Sequence, residues 1–134
     1  MNSLRMLQKP LLEKPTLVMG FTGWMDGGHS STGPVEYLRT HLKAEPFAEI
    51  EPDEFYILNL PGTMESVSVF RPHIKYVNGM IERFDYPRNV FYALPEQQMI
   101  LFEGHEPNLA WGRYCRAIFE VCGGFDVQRI ILIG

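Results

Sequence analysis

Apolar residues fill Thr16 to Phe21 (TLVMGF) almost without interruption, and the run predicts a first strand covered on both faces. Polar, glycine-rich sequence follows over 22–28. Beyond it Val35, Leu38 and Leu42 recur at i, i+3 and i+7, the apolar stripe of a helix that ends near Lys43. The start of that helix is open. Pro34 suits a first turn, so regular helix begins within 31–34, or a helical turn begins near Gly28 and bends at the proline. Ser30, Ser31 and Thr32 are its candidate caps. Glu45 to Asp53, interrupted by Pro46 and Pro52, reads as a loop, Glu54–Leu60 as a second strand, and Pro61-Gly62 as a turn.

Short apolar runs then alternate with polar turns. Val67–Phe70, Ile74–Val77, Met80–Phe84 and Asn89–Leu94 read as strands, with Asn78-Gly79 at the tip of a hairpin. Gln98–Glu103 is a further buried strand. Glu106-Pro107-Asn108 then opens a helix whose apolar face is Trp111, Cys115, Ile118, Phe119 and Cys122, stopped by Gly123-Gly124. Arg129–Ile133 reads as one more strand. Residues 1–15, with Pro10 and Pro15, predict a largely irregular lead-in, and 16–134 a single α/β unit with a mixed sheet covered by helices. The Ile130–Ile133 run is apolar on both faces. It predicts cover from a second copy or from further chain, and the sequence is expected to be the N-terminal portion of one domain.

Composition narrows the class. Hydrophobic residues at 46% and charged residues at 21% fit an ordinary globular domain. A net charge of -4 with scattered Lys and Arg argues against nucleic-acid partners. No apolar run approaches the roughly 20 residues that span a bilayer, and the N-terminus lacks a signal-peptide pattern. Cys115 and Cys122 lie two helical turns apart, about 10 Å, too far for a disulfide within a regular helix. Reduced thiols and a cytoplasmic setting are the expectation.

The loop GFTGWMDGGHSSTGP, Gly20 to Pro34, invites chemical readings. Gly28 to Gly33 has the frame of a phosphate loop, but Pro34 and Val35 stand where Lys and Ser/Thr are needed. Ser30 nearly matches a nucleophile elbow, yet lies far past the strand, and helix capping is the better account of it. Asp26, His29, Glu103, His105 and Glu106 follow strands but lack zinc-ligand spacing, so no metal and no cofactor is expected. Asp26, His29, Glu103 and Glu106 remain the catalytic candidates of a polar cleft at the strand ends. Arg39 and Lys43 lie too far down the helix to supply a phosphate site there. In the second motif, Glu106 or Asn108 is expected to cap the helix that Pro107 opens, and Trp111 to lock it to the sheet. Trp24 is expected to be largely buried, anchoring its loop against the following helix or a neighbouring chain.

These two motifs carry a resemblance. Gly20, Gly23, Trp24, Asp26 and Gly28 at one strand-to-helix junction, then Gly104, Glu106, Pro107, Asn108 and Trp111 at another, resemble the proteasome assembly chaperone two family in its bacterial and archaeal branch. Arg71-Pro72 fits the same pattern. The resemblance implies a three-layer α/β/α fold like that of nucleoside phosphorylases and related hydrolases. It implies a non-catalytic, chaperone-like role with proteasome subunits as partners, while self-association as a homo-oligomer is expected from the uncovered apolar strand at Arg129–Ile133. Members of that family are considerably longer, which again implies truncation. The competing reading is a small-molecule enzyme or binder that uses the cleft residues.

Overall fold

The computed structural model describes residues 2–57 and 73–134. Its sheet has six strands: β1 (Leu4–Met6), β2 (Thr16–Thr22), β3 (Glu45–Ile50), β6 (Val90–Leu94), β7 (Met99–His105) and β8 (Arg129–Ile133). Their order is β1-β3-β6-β7-β2-β8. β2 runs parallel to both β7 and β8, and the other neighbours pair antiparallel, so the sheet is mixed. A separate hairpin joins β4 (His73–Val77) to β5 (Met80–Asp85). Asn78 and Gly79 turn it with φ of 52° and 76°, the left-handed geometry that the Asn-Gly pair predicts.

The two helices among the described residues cover opposite faces. Helix α1 (Thr32–His41) sets Val35 against Val18, Leu94 and Leu101. Helix α2 (Trp111–Gly124) packs Tyr114, Ala117, Ile118 and Val121 on the other side, with Leu17, Phe21, Phe47, Phe91 and Phe102. β2 therefore contributes alternate residues to two cores, as its unbroken apolar run predicts. The larger core is aromatic. Phe91 and Phe102 lie 4.4 Å apart by ring centroid, Phe55 and Tyr114 5.2 Å, and Phe47 and Phe125 5.3 Å.

Several expectations need correction. Glu45–Ile50 is a strand, not a loop, with Phe47, Ala48 and Ile50 buried. Pro46 is tolerated because the register with β6 shifts between Pro46 and Ala48, so its missing donor falls at an irregularity. Glu54 to Ile57 is not strand: Phe55 N–H closes a turn on the Pro52 carbonyl at 2.9 Å, and both Phe55 and Tyr56 are buried. The rest of that predicted strand, Pro61-Gly62, Val67–Phe70 and Arg71-Pro72 lie outside the described residues. The lead-in carries one short strand, β1. Helix α2 begins at Trp111 rather than at Glu106, because Ala110 adopts a left-handed φ of 54°. Its buried stripe is Tyr114, Ala117, Ile118 and Val121, while Phe119 is exposed and both cysteines are free and half-buried.

A buried polar knot ties these elements together. Asn89, at the start of β6, is 1% exposed. Its Oδ1 accepts from the hydroxyls of Tyr56 and Tyr114, at 2.9 and 2.8 Å, and from His105 N–H at 2.9 Å. Both hydroxyls also lie within reach of the His105 carbonyl, at 2.8 and 3.1 Å. Burial holds both phenols protonated, pushing Tyr56 up to about 12 and Tyr114 further. Gly104 permits this approach, since a Cβ there would stand 2.6 Å from the Tyr114 hydroxyl oxygen. Gly104→Ala should therefore destabilise the fold by about 1–3 kcal/mol through overpacking. Tyr114→Phe, which leaves Asn89 two donors, should cost only about 1 kcal/mol. Urea unfolding of the two variants checks the order.

Candidate functional site

β2 and β7 end side by side, and the two motifs meet there. Glu106 N–H donates to the Thr22 carbonyl at 3.0 Å, and the Glu106 carboxylate accepts Trp24 N–H at 2.9 Å. Gly23 adopts a φ of 139°, and a Cβ there would stand 2.3 Å from the same carboxylate oxygen. Only glycine lets the loop pass so close to the acid.

Asp26 fastens the other end of the loop. Its Oδ1 accepts Ser31 N–H at 3.0 Å and Thr32 N–H at 2.8 Å, and its Oδ2 accepts the Thr32 hydroxyl at 2.7 Å. Asp26 thus performs the capping expected of Ser30, Ser31 or Thr32, from outside the helix. A 3-10 turn at Gly27–His29, with Gly28 at φ 60°, precedes α1, which then starts at Thr32 with Pro34 in its first turn, so the first reading of the helix start holds and the chain bends at Gly28 and not at the proline. Burial raises the Asp26 pKa, but hydrogen bonds from Thr32 and Ser31 outweigh it and leave the carboxyl below its ordinary range. Fully buried Ser31 accepts Phe21 N–H at 2.8 Å and donates to the Ile133 carbonyl, stitching β2, α1 and β8 together. Gly20 makes room for it: a Cβ there would meet Ser31 O at 2.5 Å. The Ser30 hydroxyl lies 3.3 Å from the Met25 carbonyl and is no activated nucleophile.

Between these two clamps the Trp24 indole stands in solvent, 98% exposed. Within the chain the expected wedge against the following helix is absent, because hydrogen bonds to Glu106 and Asp26 hold the loop without the indole. The expected caps of α2 also act elsewhere. Glu106 serves the Trp24 loop, and Asn108 Oδ1 accepts Ile57 N–H at 3.1 Å. Pro107 is buried between them. Trp111 is 49% exposed and rests edge-on against Tyr114, with centroids 6.2 Å apart, so it locks the helix only in part.

On the α1 face, a cleft of about 540 Å³ opens at the carboxyl ends of β2 and β7. Three of the four catalytic candidates, Asp26, His29 and Glu103, line it, joined by Glu36, Arg39, Arg88, Tyr92 and His105. Glu106 is not among its lining residues. Arg39 reaches the cleft after all: its Nε meets Glu103 Oε2 at 2.9 Å and its guanidinium lies 5.1 Å over the Tyr92 ring. Burial raises the Glu103 pKa and Arg39 offsets part of that rise. Burial lowers that of His105, whose Nδ1 sits 3.3 Å from the Arg88 carbonyl. That contact selects the Nδ1–H tautomer and leaves Nε2 an acceptor. His29 is exposed, 3.7 Å from Asp26. Among the described residues no three His, Cys, Asp or Glu side chains are grouped to hold a metal ion. Arg39, Arg88 and Tyr92 were not legible as cleft residues, since only the strand order brings β6 beside β7. Among the described residues no helix is long and apolar enough to cross a membrane.

The model of the PAC2 family matches residues 20–134. Mycobacterium tuberculosis Rv2125, a proteasome-assembly chaperone homologue, is 26% identical with a TM-score of 0.69, over 86% of this chain and 47% of its own. Rv2714 of the same organism, a protein of unknown function, is 22% identical with a TM-score of 0.79, over 96% of this chain and 44% of its own. Pyrococcus furiosus PbaB, an archaeal proteasome activator, is 20% identical with a TM-score of 0.60, over 97% and 50%. The chain thus spans about half the length of these solved structures. No curated protein matches it.

Asp26→Ala should strip two backbone donors of their acceptor and cost about 1–2 kcal/mol. Because the folded carboxyl is depressed, its contribution is complete above the ordinary aspartate pKa and is lost as the pH falls through the folded value. The gap between wild type and variant in urea midpoints should therefore close on acidification. A gap that persists at low pH would mean the carboxylate is not the clamp.

Proposed function

The chain belongs to the PAC2 family, and from that premise we propose that it is a non-catalytic, chaperone-like protein-interaction domain. One observation carries the reading. The two most chemical-looking carboxylates, Asp26 and Glu106, are committed to backbone N–H groups that hold a loop displaying a bare tryptophan. A carboxylate that accepts several donors, as Asp26 does from Ser31 N–H, Thr32 N–H and the Thr32 hydroxyl, is a poor base. A large aromatic on a fastened backbone is well suited to anchor a protein contact, because little freedom is lost when it docks. Proteasome subunits are the first partners to try, given what Rv2125 and PbaB are, and further copies of the chain the second. The setting we assign is the cytoplasm, and the function needs no cofactor.

The cleft favours a second reading, a small-molecule binder. The connections leaving β2 and β7 depart toward opposite faces of the sheet, through α1 and α2, and ligands of open α/β sheets settle in such a crevice. Glu103 and His105, both shifted by burial, would be its working groups.

Mixing the purified chain with proteasome α-subunits of its own organism separates the readings. Co-elution in size exclusion, weakened by Trp24→Ala, is the expected result. No co-elution, together with a thermal shift from a panel of metabolites, would overturn it in favour of the binder. A ligand at 100 times its Kd adds about 2.7 kcal/mol of stability.

A further inference from the structure

The polar cleft is built on the interior of the sheet, not on its edges. Its lining comes from β2, β6, β7, α1 and the loops that join them. Each of those three strands has a paired neighbour on both sides, and no lining residue belongs to β1, β3 or β8. Glu103 lies in register with Val90 on one side and Gly20 on the other, and His105 with Thr22, so the floor is fixed by ladders. Among the described lining residues Val90 alone is aliphatic, and the Arg39 guanidinium lies over the Tyr92 ring. A nucleobase or a hydrocarbon chain would find no apolar wall there, the usual lining for such ligands.

The charges of the cleft fall into two groups. Asp26 is occupied by Ser31 and Thr32, and Glu103 by Arg39. Glu36 and Arg88 are exposed, and neither makes an ion pair among the described residues. One carboxylate and one guanidinium are therefore uncommitted. They stand on different walls, Glu36 on α1 and Arg88 just ahead of β6, where its carbonyl lies 3.3 Å from His105 Nδ1. With that nitrogen donating, His105 offers Nε2 as a further acceptor. A dianion such as phosphate is disfavoured, because Asp26, Glu36 and Glu103 face only Arg39 and Arg88. A ligand with one negative end and one positive end satisfies both free charges.

We propose that the cleft binds a small zwitterion of the α-amino acid class, with its carboxylate on Arg88 and its ammonium on Glu36 and the His105 ring. The guanidinium fork suits a carboxylate, and an ammonium needs several acceptors close together. The inference rests on the small-molecule reading of the cleft and supplies its ligand class. It leaves the protein-interaction reading untouched, since the Trp24 loop is not part of the cleft.

Thermal shift of the whole chain with the common L-α-amino acids, followed by calorimetric titration of the strongest, tests it. At least one amino acid should bind, and its methyl ester and its N-acetyl derivative should each bind about tenfold more weakly, because each lacks one charge. Arg88→Ala should weaken the amino acid about tenfold and leave the ester unaffected, and Glu36→Gln should do the same to the amino acid and spare the N-acetyl form. Both side chains are exposed and unpaired, so neither change should alter the far-UV circular dichroism spectrum. Binding that survives esterification, or that ignores Arg88→Ala, overturns the proposal. So does the absence of binding by any amino acid. If phosphate, a nucleoside or a sugar binds in the same screen instead, the ligand class falls and the binder reading stands. If nothing binds, both fall, and co-elution with proteasome subunits is unaffected by either result.

Discussion

The amide of Asn89 is the point on which the arrangement of this protein turns. It is buried where β6 begins, and the strand end of β7, the helix α2 and the turn at Tyr56 all place a donor on its single oxygen. The His105 N–H can only donate, so it orients the amide. Two phenols with one proton each then serve two acceptors, Asn89 Oδ1 and the His105 carbonyl. Burial makes every one of these bonds costly to lose, since a stranded donor or acceptor has no water to turn to. The knot fixes the end of β7 against α2, and so fixes where Glu106 begins.

From there the geometry is passed along by close backbone approach. Gly104 lets the Tyr114 hydroxyl in, Gly23 lets the Glu106 carboxylate in, and Gly20 lets Ser31 and α1 lie against β2. At each of these positions a methyl group would collide with something that is itself held. The glycines of the two motifs are thus places where two parts of the chain need the same space. The carboxylates complete the pattern, each satisfying backbone donors that the turns leave without a partner. What resembles catalytic equipment in one dimension is, at Asp26 and Glu106, the fastening of a loop.

The polar cleft and the displayed tryptophan lie on either side of that fastening. In the cleft, Arg39 and Glu103 neutralise one another over Tyr92, and His105 is kept neutral by burial. At the loop, the cost of an exposed indole is not offset by any packing of its own. A protein that presents such a group on a backbone held at both ends has placed its largest apolar contact where another surface can reach it.

The sequence by itself determined the elements whose signal is local. The doubly covered β2, the Asn-Gly hairpin, the Val35 stripe of α1 and the absence of a phosphate-loop lysine are all read within a few residues of one another. So were the two glycine-bearing strand-to-helix junctions on which the family resemblance rests. Tertiary structure alone decided what depends on a distant neighbour. Glu45–Ile50 became a strand because β6 offers it a ladder that absorbs Pro46 at an irregularity. Glu106 left the helix it seemed to cap because a donor at Trp24, 82 residues earlier, stands nearer. The buried face of α2 rotated toward Tyr114 because Asn89 needs its hydroxyl. Periodicity reports which side of an element is apolar, but not which apolar residues will find a partner. Trp24 shows the difference, since its size argued for burial while its loop is held by polar bonds to backbone and by Met25 against the core, which leaves the indole itself in solvent.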